Sequence, residues 1–176
     1  MRWNRQGPPP SRCAALAAQR SVVPTIAEPR IVLNRLSDKV AVLSKGPGAS
    51  AEELTALAQK FPGLPSSFHE LMALGTDVEM NYKGTYLRLY GPATILDMNA
   101  GYEISTVIPG AVPVGDNGSG SAVVWTYGVE GVRQGLYRVA YGDLGRDTLN
   151  YIAATLEALL VRGEANPEAI SGVANG

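Results

Sequence analysis

The spacing of apolar residues changes at residue 78, and this change constrains the fold more than any other feature of the sequence. Between residues 50 and 75, apolar residues recur at the three- and four-residue spacing of helices that bury one face. From Val78 onward, apolar and polar residues alternate in short runs separated by glycine-rich turns, which is typical of strands. Because the strands follow the helices and do not alternate with them, the pattern indicates an α+β fold with a mostly antiparallel (mixed) sheet.

Two helices are predicted before the sheet. Ser50 and Glu53 form a capping box, in which the serine hydroxyl accepts from the Glu53 amide and the glutamate reaches back to the Ser50 amide. Pro62-Gly63 ends that helix, and a second helix is predicted from Leu64-Pro65 to a C-cap at Gly75. The apolar segment 31–43 fits both a strand and a helix, so its secondary structure stays open.

The sheet is predicted as a meander that a final helix closes. A hairpin is expected around the turn Asn81–Gly84, between apolar residues that begin at Val78 and end at Leu89. Further strands are expected at Ala111–Val114, Ala122–Tyr127 and Gly135–Ala140, with one helical turn within 92–100 and a short strand at 101–104. The last helix is expected to begin near Asp147 or Thr148 and to end at Arg162-Gly163.

Charge divides the chain into two regions. Residues 1–45 contain eight basic and two acidic residues, whereas residues 46–176 contain seven basic and 14 acidic residues. We expect residues 1–30 to form a disordered basic leader, residues 31–163 a single α+β domain and residues 164–176 a flexible tail. The acidic body argues against nucleic-acid binding, which needs a positive surface to displace counterions.

The residues that catalysis and metal binding usually need are scarce. The chain has one cysteine and one histidine, His69, so no internal disulfide, thiolate metal cluster or Ser–His–Asp relay is expected. We therefore predict no catalytic residues, no metal site and no cofactor. No apolar run approaches the roughly 18–20 residues of a membrane span or forms the apolar region of a secretory signal, so we expect a cytoplasmic protein that does not bind membranes.

Two kinds of candidate site remain. The stretch Gly115–Ser121 lacks the Lys-Ser/Thr of a phosphate-binding loop and the acidic ligands of a calcium loop, so a plain turn between strands is favoured. Tyrosine and tryptophan, by contrast, concentrate in the sheet region, and both are enriched at binding hot spots. Most of these rings are expected to be structural, but we predict that a minority form a partner-binding surface with nearby acidic residues and the glycine-rich turn: Asp77, Glu79, Tyr82, Tyr86, Glu103, Asp116, Asn117, Trp125 and Tyr127.

Four segments in this order resemble the SUKH superfamily of the Smi/Knr type. They are LPSSFHELMALG (Leu64–Gly75), IPGAVPVGDNGSGSAVVW (Ile108–Trp125), GLYRVA (135–140) and LNYIAATLEALL (149–160), and together they span about residues 50–162. Two positions depart from the family pattern: Gly75-Thr76-Asp77 replaces a common Asn-Gly or Gly-Gly, and Val124–Tyr127 lacks the acidic residue often found near the end of that strand.

The resemblance implies a sheet packed by N-terminal and C-terminal helices, and a binding module without a shared catalytic set. In bacteria such a module is most often an immunity protein that neutralises a polymorphic toxin by direct binding; in fungi the related domain belongs to a cell-wall synthesis regulator. We therefore expect a non-enzymatic protein that binds a basic toxin domain, as a monomer or weak dimer. The alternatives are a regulatory scaffold for a host partner and a small-ligand protein that uses Asp116 and Tyr127.

Overall fold

The computed structural model describes residues 35–128 and 131–172. In this part of the chain, seven strands form one sheet in which every strand lies beside its neighbour in sequence, and all six pairings are antiparallel. The strands are β1 (Val40–Ser44), β2 (Val78–Tyr82), β3 (Thr85–Leu89), β4 (Ala111–Asp116), β5 (Ser121–Thr126), β6 (Gly135–Ala140) and β7 (Asn150–Ala153). The predicted α+β class is confirmed. The leader expected at 1–30 lies outside the described residues.

Six helices accompany the sheet in the described residues. They are α1 (Ala51–Lys60), α2 (Ser66–Leu74), α3 (Pro92–Tyr102), α4 (Ile104–Val107), α5 (Leu156–Leu160) and α6 (Pro167–Ser171). None of them has the length and apolar character needed to cross a membrane. The helices flank the sheet, as expected.

The two helices predicted before the sheet are confirmed. The amide of Glu53 donates to Ser50 Oγ at 3.2 Å, and the amide of Ser50 donates to the Glu53 carboxylate at 2.8 Å, which completes the capping box of α1. Gly75 caps α2 and donates to the carbonyl of Leu71. The segment left open at 31–43 forms β1 where it is described, from Val40 onward.

The hairpin and the three later strands are also confirmed. Lys83 and Gly84 form a two-residue turn between β2 and β3, with φ angles of 47° and 86°. Two left-handed residues in succession give the turn the twist that joins antiparallel strands directly. β4 and β5 extend further into the glycine-rich stretch than predicted, to Asp116 and from Ser121.

Residues 92–104 differ from the prediction. A single helical turn and a strand were expected there, but α3 runs for 11 residues and α4 follows it directly. Pro92 occupies the first turn of α3, where its missing amide costs nothing. Glu103 joins the helices with a φ of 52°, so the strand predicted at 101–104 is wrong.

The C-terminal prediction is wrong in its first half. Residues 150–153 form β7, which pairs with β6 through Tyr137 and Tyr151, and the helix begins only at Leu156 with Thr155 as its cap. The apolar residues there fit both periods, and pairing with β6 favours the strand. The segment expected as a tail contains α6, which Asn166 caps and whose Ile170 is buried.

Apolar residues pack on both faces of the sheet. The larger cluster joins α1, α2, α5 and α6 to one face, where Phe68 meets Trp125 edge-on with ring centroids 5.7 Å apart. A smaller cluster on the other face packs Ile104 and Ile108 against Val124 and Val139. Consequently β4 and β5 are buried along their whole lengths, whereas β2 and β3 alternate between buried and half-buried residues.

Candidate protein-binding groove

A row of polar and aromatic side chains crosses the half of the sheet that α4 does not cover. On β3, Leu87 and Leu89 are buried in the larger core, which leaves Tyr86 and Arg88 on the opposite face. Arg88 pairs in register with Glu79 of β2 on one side and with Asp116 of β4 on the other. Three adjacent strands therefore place an acidic, a basic and an acidic side chain side by side.

Arg88 and Asp116 form an ion pair within this row. Arg88 donates to Asp116 Oδ2 through Nε at 2.8 Å, and its Nη2 lies 2.8 Å from the same oxygen. The arginine side chain is 38% exposed and the aspartate side chain 10% exposed, so the carboxylate is held inside while part of the guanidinium faces solvent. The guanidinium also lies 5.3 Å from the centre of the Tyr90 ring. Arg88 is therefore fixed and still accessible.

Side-chain bonds shape the turn between β4 and β5. Asp116 Oδ1 accepts from the amide of Gly118, and Asn117 Oδ1 accepts from the amides of Ser119 and Ser121. Gly118 has a φ of 67°, and a β-carbon there would lie 2.8 Å from Tyr86 Cδ1. The glycine thus lets the turn pack directly against the Tyr86 ring.

The same turn holds α6 in place. Asn117 Nδ2 donates to the carbonyls of Ile170 and Ser171, at 3.0 and 3.2 Å. Tyr82 donates from its hydroxyl to the carbonyl of Ala165, and Arg138 Nε donates to the carbonyl of Ala169. The helix of five residues and the segment just before it are therefore attached to the sheet by side chains of β2, the β4–β5 turn and β6.

A groove of about 580 Å³ lies between the β2–β3 turn, the β4–β5 turn and α6. It is lined by Lys83, Gly84, Thr85, Tyr86, Asn117, Ser119, Asn166, Pro167, Glu168 and Ser171. A second depression of about 420 Å³ shares Tyr86, Asn117 and Ser119 with it and extends over Arg88, Asp116 and Gly118. We call these two depressions together the hairpin groove.

The tyrosines of this region stay protonated at neutral pH. Burial, followed by the neighbouring carboxylate of Glu79, raises the pKa of Tyr86. Burial and then the hydroxyl of Tyr141, 3.0 Å away, raise the pKa of Tyr90. A neutral Tyr86 hydroxyl can both donate and accept a hydrogen bond, so its ring and its polar end are both available to a ligand in the groove.

Four of the predicted surface residues meet at the hairpin groove. Tyr86, Asp116 and Asn117 line it, and Glu79 lies beside Tyr86. Two others were placed wrongly by the sequence analysis, because Tyr82 and Trp125 are buried in the core with 0% and 1% of their surface exposed. Alternation along a strand shows which residues share a face, but not which of the two faces is covered.

The remaining three predicted residues lie elsewhere. Asp77 accepts from the amide of Gly91 and joins the start of β2 to the start of α3. Glu103 is exposed at the junction of α3 and α4. Tyr127 is half-buried beside Gly63, where a β-carbon would lie 2.8 Å from its ring. None of these three lines the groove.

Several groove residues were missed by the sequence analysis. The two-residue turn sets the register of the hairpin, so the pairing of Arg88 with Glu79 could have been predicted once that turn was placed. The sequence Asn166-Pro167-Glu168 also carries a helix start signal, a capping asparagine followed by proline, and would have indicated α6. Lys83 and Ser119 carried no such signal.

Few groups in the described residues could support metal or acid–base chemistry. Across residues 35–128 and 131–172, no three His, Cys, Asp or Glu side chains are grouped so as to hold a metal ion. His69 lies on α2, away from the groove, with Nδ1 3.3 Å from the carbonyl of Pro65. Asp116, the most buried acid of the groove, is already bonded to Arg88 and to Gly118.

Comparison with known proteins adds no family assignment. No protein-family model matches the chain, and no curated protein matches it. The resemblance to the SUKH superfamily therefore stays a prediction, and the α+β fold with its hairpin groove is what the chain itself shows.

Proposed function

We propose that this protein is a non-enzymatic binding module that recognises a protein partner through the hairpin groove. The observation that carries the proposal is the convergence of Tyr86, Arg88 and Asn117 on one accessible depression built by three separate segments. Tyrosine and arginine are the residues that most often dominate binding energy at protein interfaces. Here both are held by fixed neighbours, so little conformational freedom is lost when a partner docks.

The conformation of Lys83 supports a functional role for the groove. Its φ of 47° belongs to the left-handed region, in which residues other than glycine, asparagine and aspartate are uncommon. Asparagine would suit this turn better than lysine. Residues held in an unfavourable backbone conformation are common at functional sites, and Lys83 lies on the wall of the groove.

Charge supports a basic partner. The described residues contain ten lysines and arginines and 14 aspartates and glutamates, a net charge of −4. A body with this net charge attracts a positively charged protein and speeds the encounter at low ionic strength. Together with the SUKH resemblance, this favours an immunity protein that binds a basic toxin domain and blocks it.

The proposal assigns no chemistry to the groove. The Asp116 carboxylate accepts from Arg88 and from the Gly118 amide, so it is engaged in structure and poorly placed to act as a base. The single histidine lies on another element. We infer that the protein acts by covering a surface of its partner and does not turn over a substrate.

Co-purification with the product of the neighbouring gene tests the proposal. We expect a stable complex, and we expect Tyr86→Ala to raise its Kd by about 30-fold, because truncation of a hot-spot residue costs about 2 kcal/mol. Tyr102→Ala is the matched control, since Tyr102 is a partly exposed tyrosine on α3 outside the groove. Equal affinity of both variants, or catalytic turnover by the pure protein, would contradict the proposal.

Two alternatives to an immunity protein stay open. A regulatory scaffold of the Smi/Knr type would use the same groove, and the identity of the neighbouring gene product separates it from an immunity protein. A small polar ligand is the other alternative, because about 580 Å³ lies within the usual range of roughly 300–1,000 Å³ for ligand sites. The ligand site that the sequence suggested, Asp116 with Tyr127, loses support because Tyr127 does not line the groove.

A further inference from the structure

The edge strand β1 carries unpaired main-chain groups beside exposed apolar side chains. β1 pairs with β2 on one side only among the described strands. Val42 and Leu43 are 38% and 58% exposed, and no residue of β1 is charged. An uncharged, apolar edge of this kind is a template for the addition of another strand.

The hydrogen-bond pattern identifies the groups that are free. The amide of Lys83 donates to the carbonyl of Lys39, so Lys39 faces β2. Because residues of an antiparallel strand alternate between facing the partner and facing away, Ala41 also faces β2, and Val42 directs its N–H and C=O to the open side. Val42 is the last residue of this regular pairing, since the register shifts between Val42 and Ser44 and leaves Leu43 without a partner on β2. No described residue bonds to those outward groups of Val42, whereas the outward N–H of Val40 is bonded to the carbonyl of Ser37.

Two lysines flank the strand, and neither protects its edge. Lys39 Nζ donates to the carbonyl of Gly163 at 3.0 Å, and Lys45 Nζ donates to the carbonyl of Leu74 at 2.7 Å. Lysines on an edge strand usually repel incoming strands, but these two are folded back onto the body at either end. Each ammonium has three donors, so each can still bind a carboxylate at its end of the strand.

The charge near β1 is opposite to that of the body. Residues 35–46 contain three basic residues and one acidic residue, whereas the rest of the described chain contains seven basic and 13 acidic residues. A second copy pairing antiparallel about Val42 would place Lys39 opposite Lys45 at both ends, which is unfavourable. The edge therefore fits a strand of another protein better than it fits itself.

We propose that β1 is a second interaction surface, which takes an extended segment of a partner protein as an eighth, antiparallel strand with acidic residues at both ends. The central main-chain bonds are made by Val42, apolar side chains of the segment cover Val42 and Leu43, and carboxylates bind Lys39 and Lys45. Main-chain bonds supply the affinity in this mode of recognition, and the flanking charges supply selectivity. The surface is independent of the hairpin groove.

The test measures binding of the full chain to a nine-residue peptide. Two acidic residues at each end of the peptide flank five residues that alternate between valine and threonine. We expect saturable binding in fluorescence anisotropy that weakens at least tenfold with Val42→Pro, which removes the outward N–H. A peptide with lysine ends and a peptide with an N-methylated central valine should each bind at least tenfold more weakly. Val107→Ser, a change at another exposed apolar residue, is the matched control.

Three results would overturn the proposal. The first is no binding of the acidic peptide to the full chain, which would show that another segment covers the edge. The second is equal binding of the acidic, lysine-ended and N-methylated peptides. The third is a dimer in light scattering that Val42→Pro dissociates. The peptide comparison uses unmodified protein, so it remains decisive if Val42→Pro unfolds, and Tyr86→Ala should leave peptide binding unchanged, which separates this test from that of the groove.

Discussion

Asn117 connects the two sides of the hairpin groove through a single amide group. Its oxygen accepts from the amides of Ser119 in the β4–β5 turn and Ser121 at the start of β5, and its nitrogen donates to two carbonyls at the end of α6. The residue is 3% exposed, so water cannot replace these bonds. The amide side chain is required here because the position needs both donors and acceptors, which aspartate cannot supply when ionised.

We therefore expect Asn117→Ala to lower the free energy of unfolding by about 3 kcal/mol, since it leaves several buried polar groups unpaired. Urea denaturation followed by far-UV circular dichroism measures the change. Asn150→Ala is the control, because Asn150 is exposed and bonds only to the nearby carbonyl of Thr148. That variant should stay within about 0.5 kcal/mol of the parent. A similar loss in both variants would show that Asn117 does not hold α6.

Tyr127 presents the opposite case, a buried hydroxyl without a hydrogen-bond partner in the described residues. Burial raises the pKa of Tyr127 to about 12, whereas an unfolded tyrosine titrates near pH 10. The folded state thus keeps its proton to higher pH than the unfolded state. The stability that this difference represents is complete below about pH 10 and is lost as the pH rises towards 12.

Tyr127→Phe should remove this pH dependence, so the free energy of unfolding should fall less steeply between pH 10 and 12. At pH 7 the variant should be as stable as the parent or more stable by up to about 1 kcal/mol, because an unpaired hydroxyl is removed. Tyr82→Phe is the comparison, since it loses the bond to Ala165 and should cost about 1 kcal/mol. Greater destabilisation by Tyr127→Phe than by Tyr82→Phe would refute this account.

Among the elements, the β2–β3 turn shows most clearly a conflict between local preference and the observed residue. The turn needs two residues with positive φ; glycine adopts such an angle freely at position 84, whereas lysine adopts its φ of 47° at position 83 against its own preference. We expect Lys83→Asn to raise the melting temperature, with a gain of about 1 kcal/mol in the free energy of unfolding. Thermal denaturation measures it, and Lys60→Asn on α1 is the control.

The proposed function predicts that Lys83→Asn also weakens the complex with the neighbouring gene product, because Lys83 lines the groove. A variant that gains stability and loses affinity would link the strained turn to binding. A gain in stability with unchanged affinity would place Lys83 outside the contact surface.

The sequence correctly predicted those elements whose ends are marked by residues within the element or next to it. The capping box of α1 and the glycine of the β2–β3 turn are complete within a few residues, so the sequence alone indicated both. β7 has no such signal. Its residues Tyr151, Ile152 and Ala153 also fit a helix, and only the pairing with β6 decides between the two. The residue pattern of 150–153 does not show that the edge of β6 is open for pairing.

The groove could be predicted only in part, because some of its features depend on local residue types and others on distant parts of the chain. Tyr86, Asp116 and Asn117 were expected at a surface because their residue types and turn positions suggested it. The burial of Tyr82 and Trp125 depends on helices packed from distant parts of the chain, including the contact of Trp125 with Phe68. Spacing along a strand contains no information about those helices.

Across the whole molecule, the sheet is shared by two cores. Leu136 belongs to the larger cluster and Val139 to the smaller one, and both lie on β6. Because each face supports the same strands, neither core can be lost without the other. We expect one cooperative unfolding transition, in which tryptophan fluorescence and far-UV circular dichroism change together.

Leu136→Ala and Val139→Ala should each shift both signals by the same amount. We expect losses of about 3 kcal/mol for the leucine and a smaller loss for the valine, in proportion to the buried volume removed. Thr55→Ala on the exposed side of α1 is the control. Separate midpoints for the two signals in the Val139→Ala variant would mean that the two faces unfold independently.

The sheet places its strands in the order in which they occur along the chain, and this order has a consequence for biosynthesis. A ribosome releases β1 first, and each later strand finds its neighbour already present, so the sheet can grow in one direction without waiting for a distant segment. The side of the hairpin groove that α6 forms is synthesised last. A nascent or prematurely terminated chain can thus assemble most of the fold and still lack the finished groove, and only a polypeptide translated through Ser171 is competent to capture a partner there.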